Sequence, residues 1–507
     1  MPTTMKTLLK IDEPQLLFNH GQRADDPRDG LTLFGPLDAD KVHGIRYGVI
    51  GTSQGIQRFK GWLERMQRPV YPGASPAARP VFPGFEAVFG IPWHLTANLV
   101  LTVDASDLHN AVVVAEKHQR VYGAVNLFSE QMIASSQREE TNIDFWIVVL
   151  PDEVYRYCRP LSTVSKEIRV APASNMTRSE ARRLRRSPSL FEEDNEATEP
   201  FNFAAQFRTQ LKARLLPHKI ATQIVRESTI APTEVLDEGG KPLRDLSAVV
   251  SDIAWNLAST AFYKSGGRPW KLADIRPGVC YVGLVFKKDD RGEDERFACC
   301  AAQMFLDSGD GIVFKGAVGP WYSPKTRDYH LSTEAAKDLI SLSVTEYRRL
   351  TGSSPSELFI HGKIRFSEDE WRGFTAAVPS ETTLVGVRIR RTAGLRLYRP
   401  GKLPVLRGLA HVVNEREGYL WTQGYIPRLK TYPGRGVPKP LHIDVCRGDA
   451  PIETVLRDVL ALTKLNYNAC IYADGEPVTL VFADAVGEIL TAGPHDSAPP
   501  LPFKYYI

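Results

Sequence analysis

Hydrophobic and polar positions change rhythm partway along the chain. In the first half, "GIRYGVIG" (44–51), "NLVLTVD" (98–104), "IDFWIVVLP" (143–151) and "IATQIVRES" (220–228) are short apolar runs that predict buried strands. Between them, apolar residues three and four apart predict helices over "SQGIQRFKGWLERMQ" (53–67), from 105 to about Arg138, over "FAAQFRTQLKARLL" (203–216) and over "LSAVVSDIAWNLASTAFYK" (246–264). Strands separated by helices imply a parallel sheet covered on both faces, a Rossmann-like layout. No GxGxxG is present, so a dinucleotide is not implied.

Near Gly266 the grammar changes. "GVCYVGLVFK" (278–287), "RFACCAAQMFLDS" (296–308) and "GIVFKGAVG" (311–319) predict three successive strands, with "DSGDG" as a hairpin turn. A helix at 332–352, the strand "ELFIHGKI" (357–364), a helix at 367–378 and the strand "TTLVGVRI" (382–389) follow. Three antiparallel strands and then helix, strand, helix, strand is the order of the ribonuclease H-like fold. The helix "PIETVLRDVLALTKL" (451–465), the segment "EPVTLVFADAVGEIL" (476–490) and the tail "PPLPFKYYI" (499–507) close the chain. The expected organisation is a lead-in over 1–40, a first domain over 41–265 and a second over 266–507. Three stretches are expected to be irregular: 67–84, the charged turn "KKDDRGEDER" (287–296), and 171–200, whose arginines followed by acids predict disorder.

A chain of 507 residues exceeds one core, which agrees with two domains. Its net charge of +4 permits a nucleic-acid partner without requiring one. Cys158, Cys280, Cys299, Cys300, Cys446 and Cys470 form no CxxC pair and read as reduced core residues. The absence of a signal-like N-terminus or a membrane-length apolar run leads us to expect a cytoplasmic protein with no membrane partner.

The informative stretch is "FRTQLKARLLPHKIATQ" (207–223). Phe207, Leu211 and Leu215 form an apolar stripe, and Arg208 and Lys212, four apart, converge beside it. Gln223 follows in the next strand, and Lys264 ends the helix before "GGRPW". Taken singly, each cation suits a solvated helix face or a helix end. Together, three cations and an amide from adjacent elements suit an anion cradle.

These residues resemble the MID domain of Argonaute proteins: "KSGGRPW" (264–270) is similar to that family's "KLGGTPW", and "QFRTQLK…TQIV…AFYK" carries its phosphate-binding pattern. "DPRDGLTLFGPLD" (26–38) resembles the segment before MID, and the second half then corresponds to PIWI, the Argonaute ribonuclease H-like domain. The length resembles short prokaryotic Argonautes, and "LTKLNYNACIYADGEPVTLVFADAVGEIL" with "FKYYI" resembles the clade that works with a TIR-type effector. The resemblance implies that Arg208, Lys212, Gln223 and Lys264 hold a guide's 5′-phosphate. It also implies that the C-terminal carboxylate of Ile507, with Gln223, binds Mg2+ there, and that Tyr155 or Tyr157 stacks on the first guide base.

Active PIWI domains cluster carboxylates around two metal ions. Here the first strand reads "GLVF", with Val285 at the expected acid, and the later strand has Gly362 and Lys363. Only Asp484 matches, Asp289 and Asp290 belong to the charged turn, and His361 reads as a structural histidine. No catalytic residue is therefore expected. Lys287, Lys288, Lys363, Arg365, Arg388, Arg390 and Arg391 are candidate contacts to a nucleic-acid backbone, and the arginines at 182–186 are as well placed to keep an insertion soluble.

The resemblance implies a non-cleaving sensor that loads a 5′-phosphorylated guide RNA, pairs it with single-stranded DNA of a plasmid or phage, and activates a TIR-APAZ partner in a heterodimer that assembles further. NAD would be that partner's substrate. An active guide-directed endonuclease, a guide-free DNA-binding protein, or a sirtuin-like or nuclease APAZ effector remain the alternatives.

Overall fold

The structure is a computed structural model and describes residues 7–38, 43–73, 77–138, 142–288, 298–306, 311–319, 321–323, 327–392, 394–432, 434, 436–494 and 501–507. A short opening strand, β1 (Thr7–Lys10), joins a sheet built from the far half of the chain. The first sheet then forms from β2 (Tyr47–Gly51), β3 (Leu99–Thr102), β4 (Phe145–Leu150) and β5 (Thr222–Arg226), parallel throughout in the order β3-β2-β4-β5.

Side-chain alternation gives this sheet two apolar faces. Ile50, Trp146, Val148 and Leu150 pack with residues of α3 (Lys117–Ser136), which follows α2 (Ala105–Val112), and of α7 (Phe207–Leu215). Val49, Ile147 and Val149 pack with α1 (Ser53–Met66) and α8 (Val250–Lys264). α1 starts where Thr52 Oγ1 accepts from the Gly55 amide. After α8 the chain turns through Gly266 at φ +101°, and a Cβ on Gly267 would stand 2.4 Å from the Phe262 ring, so two glycines are required.

Residues 171–200 depart from the expected disorder. They fold into α5 (Arg178–Arg186) and α6 (Glu192–Glu196), beyond the short helix α4 (Asp152–Tyr157). Thr177 and Glu180 form a capping box at the start of α5, and Asn195 closes the connecting turn through bonds to the Ser189 amide and carbonyl. Local caps order what charge composition alone suggests is unfolded.

The second half forms a ten-stranded mixed sheet. Its strands are β6 (Val279–Lys288), β7 (Ala298–Leu306), β8 (Gly311–Gly319), β9 (Glu357–Gly362), β10 (Thr383–Arg391), β11 (Leu409–Asn414), β12 (Glu417–Trp421), β13 (Leu441–Arg447) and β14 (Leu501–Pro502), with β1. The order is β1-β11-β12-β13-β10-β9-β6-β7-β8-β14. β6, β9 and β10 run parallel, while β6-β7-β8 are antiparallel, as the ribonuclease H-like order requires. Helices α9 (Thr333–Thr351) and α10 (Glu368–Ala377) cover one face, and α11 (Ile452–Leu462) and α12 (Val478–Leu490) the other. α12 lies so close to β6 that a Cβ on Gly283 would come 1.9 Å from the Thr479 carbonyl oxygen. The "DSGDG" turn up to residue 310 and most of the charged turn, with Asp289 and Asp290, lie outside the described residues.

One buried cluster runs through both sheets, joining Val49 and Trp255 to Tyr281, Val387 and Leu441. The fold is thus mixed α/β, Rossmann-like and then ribonuclease H-like. No helix among the described residues is long and apolar enough to cross a membrane.

Candidate nucleic-acid interface

α7 is buried on most of its circumference, which settles the question its cations raise. Phe207, Leu211 and Leu215 enter the core, and Lys212 is only 3% exposed. Lys264, at the end of α8, is 0% exposed. These ammoniums meet at the start of β5. Lys264 Nζ donates to Gln223 Oε1, the Thr222 carbonyl and a main-chain oxygen of Ile507, each at 2.7 Å. Lys212 Nζ donates to the same Ile507 oxygen at 2.6 Å and to the Thr222 carbonyl at 3.2 Å.

Among the described residues no carboxylate side chain pairs with either lysine. Burial lowers both pKa values well below the ordinary lysine value; the charge of Arg208 adds to the effect on Lys212, and those of Lys212 and Arg208 to the effect on Lys264. Arg208 is also pushed down by burial, with Glu488 opposing. Among the described residues Arg208 makes no hydrogen bond or ion pair. Buried cations without anionic side chains among the described residues are costly, an arrangement that suits an incoming anion.

A cavity of about 270 Å³ opens beside them, lined by Tyr155, Arg159, Arg208, Gln223, Asn468 and Ile507 among others. Arg208, Lys212, Gln223 and Lys264 therefore do converge, and Ile507 joins them. Tyr155 is brought to the cavity, whereas Tyr157 lines the neighbouring cleft and packs partly on the core. The Tyr155 ring lies between two guanidiniums, with Arg226 Cζ 3.6 Å and Arg159 Cζ 4.4 Å from its centroid. Asp152 holds Arg226 and caps the Ser228 amide.

Arg159, Arg226, Asn468 and the Thr222 carbonyl escape sequence reasoning. Arg226 carries no usable signal: three residues beyond Gln223 on the same strand, it falls on the opposite face by simple alternation. Asn468 carries none, because its loop comes from the far half and is pinned on α8. There Asn256 Oδ1 accepts from the Cys470 amide, and Tyr467 packs on Tyr263 with ring centroids 4.8 Å apart.

The donors suit a hard cation in kind. Gln223 Oε1 and the Ile507 oxygen both face one point, where Lys264 Nζ stands. Among the described residues no group of three or more His, Cys, Asp or Glu could hold a metal.

A second cluster lies at the carboxyl ends of β6 and β9. Val285 is buried and apolar. Lys287 reaches Asp484 Oδ1 at 3.1 Å and Glu488 at 3.3 Å, and Lys363, directly after Gly362, reaches the same Asp484 oxygen at 3.4 Å. His361 Nδ1 lies 3.0 Å from Thr479 Oγ1, and burial lowers its pKa to about 3, so it is a neutral, satisfied core residue. Arg388 and Arg365 share Asp444, at 2.6 and 3.1 Å, Arg390 donates to His442, and Arg391 pairs with Glu476. In register with Gly362, Arg388 faces α10's side of the sheet, away from α12. The Lys288 side chain lies outside the described residues.

This architecture, a four-stranded parallel sheet followed by a ten-stranded mixed one, has the fold of the MID and PIWI half of an Argonaute. The Argonaute of Clostridium butyricum, in a structure with a guide DNA (5′ deoxycytidine) and a 19-mer target DNA, has a TM-score of 0.65 at 12% identity, covering 99% of this chain and 55% of that one. Aa-Ago with externally bound siRNA has a TM-score of 0.57 at 15% identity, over 98% and 56%. In sequence, the protein argonaute of Aquifex aeolicus (strain VF5) is 21% identical over 242 residues, 47% of this chain and 31% of that protein. The chain thus spans about a third of that relative and just over half of the solved structures. No protein-family model matches it.

Proposed function

We propose that the chain is a non-cleaving, guide-directed nucleic-acid sensor that holds the 5′-phosphate of a guide strand in the cavity beside α7. The observation carrying this is the convergence of Arg208, Lys212 and Lys264 with Gln223 where, among the described residues, no carboxylate side chain neutralises them. A phosphate monoester brings about −1.5 to −2 charges and several acceptors to such a site. Arg208 is the free fork, Lys212 and Lys264 supply charge, and Gln223 supplies an orienting amide. Where the chain ends at Ile507, its carboxylate and Gln223 would hold Mg2+, which would neutralise the repulsion between carboxylate and phosphate. The first base would stack on Tyr155 by taking the place of the Arg159 guanidinium, the more distant of the two cations over its ring.

Base pairing then selects single-stranded DNA complementary to a guide RNA, and groups between the two sheets contact the backbones. Val285, Gly362 and Lys363 supply no metal-binding acid beside Asp484, so the chain itself does not cut. The match is reported to a TIR-APAZ partner that degrades NAD, in prokaryotic defence against plasmids or phage. The likeness of the C-terminal sequence to that clade supports this partner.

The test is competition between 5′-phosphate and 5′-hydroxyl guides of one sequence. A strong preference for the phosphate, abolished in Lys212→Ala/Lys264→Ala, is expected. Equal binding of both strands by the unaltered protein would sink the proposal.

A further inference from the structure

The cluster at the ends of β6 and β9 has an unusual arrangement of charge. Two ammoniums from adjacent parallel strands converge on one carboxylate oxygen, Oδ1 of Asp484. That is how two lysines share one anionic oxygen of a phosphate. The contacts are monodentate and partly open to solvent, with side-chain exposures of 23% for Lys287, 44% for Lys363 and 38% for Asp484. Half-exposed pairs of this kind are weak and exchange readily for a better anion. Carboxyl ends of parallel strands are also where ligands of open α/β sheets gather.

The neighbourhood connects to the cavity. Asp484 and Glu488 stand one turn apart on α12; Glu488 bonds Lys287 at 3.3 Å, and its charge reaches Arg208. α12 packs on both α7 and β6, so a strand anchored at Arg208 has this cluster next along the helix.

We propose that Lys287 and Lys363 form a clamp for one phosphodiester of a bound strand, with the Asp484 carboxylate as the resident stand-in that the phosphate displaces. The clamp rests on the nucleic-acid reading above but not on recognition of the 5′ end. Counterion release from the strand drives the exchange, and the side chain of Asp484 swings to solvent when the phosphate arrives.

The experiment measures binding of a fluorescent 20-nucleotide single strand with a 5′-hydroxyl by the full chain, across a salt series. In Lys287→Ala/Lys363→Ala, affinity at low salt is expected to fall about tenfold, and the log–log salt slope to shrink by roughly 1.4, about 0.7 for each ammonium removed from the strand. Asp484→Ala removes the competitor, so affinity is expected to rise about threefold. Asp484→Asn should rise less, and circular dichroism confirms that each variant is folded. Unchanged affinity and slope in the lysine pair, or weaker binding in both Asp484 variants, would overturn the clamp. Inorganic phosphate should compete only as ionic strength predicts; saturable competition that disappears in the lysine pair would mark a site for free phosphate and would also overturn it. Loss of the 5′-phosphate preference with these effects intact would refute only the cavity's role.

Discussion

Replacing Lys264 by methionine separates the cost of the buried charge from its use. The substitution keeps the stem's volume and removes an ammonium with three 2.7 Å hydrogen bonds. In the ligand-free protein two effects oppose. The burial cost disappears, while the Thr222 and Ile507 oxygens and Gln223 are left without that donor. The unfolding midpoint should therefore stay within about 3 °C of the unaltered protein. With a 5′-phosphorylated strand, the variant forgoes one charge-assisted hydrogen bond worth about 1.5–3 kcal/mol. That converts to a drop of roughly 10- to 150-fold in affinity. For a 5′-hydroxyl strand the drop should be no more than about threefold, since the buried ammonium then meets no terminal phosphate and forgoes no charge-assisted bond. Titration calorimetry with both strands, alongside a thermal melt, measures all three quantities. Equal drops for the two strands, or a melt lowered by about ten degrees with affinity intact, would show that Lys264 is structural and would refute the reasoning.

Four further outcomes follow from the structure. Because burial lowers the Lys212 and Lys264 pKa values, the unfolded chain binds more protons between those lowered values and about 10.5, so ligand-free stability should rise with pH across that window. Phosphate raises the lysine pKa values again, so within that same window binding should take up protons, seen as a buffer-dependent heat, and affinity should fall as pH rises; proton release would contradict this. A guide, a complementary target and manganese should yield no discrete product, and a defined cut would mean that acids other than Asp484 complete a metal site. Glu13 joins buried Arg407 and Lys464 at 3.0 and 2.8 Å, so Glu13→Ala should cost about 3–5 kcal/mol in denaturant unfolding, whereas Glu346→Ala, beside exposed Arg349, should cost under about 1 kcal/mol.

The cradle is legible in sequence because its residues sit at helical and strand spacing within a short span, from Arg208 to Lys264. β6, β9 and β10 are equally plain as apolar runs flanked by charge. By contrast, β11 and β12 do not stand out: "LAHVVNEREGYLW" (409–421) has a polar face carrying His411, Glu417 and Tyr419 that weakens the alternation. β1 is four residues long and gains its identity only from pairing with Leu409–Val412, in the far half of the chain. α12 is ambiguous in sequence because "EPVTLVFADAVGEIL" is apolar almost all round, and periodicity alone does not separate a buried helix from a strand. The order within 171–200 rests on Thr177, Glu180 and Asn195, whose hydrogen bonds composition does not register.

The uninterrupted apolar seam between the two sheets bears on how such a protein could signal. Swinging one sheet away from the other would wet Trp255, Tyr281 and their neighbours together, an expensive movement for a single bound strand to drive. News of an occupied groove should therefore leave the molecule through its skin, as charges exchanged and side chains re-aimed at the rim, and a listening subunit would have to read that surface directly.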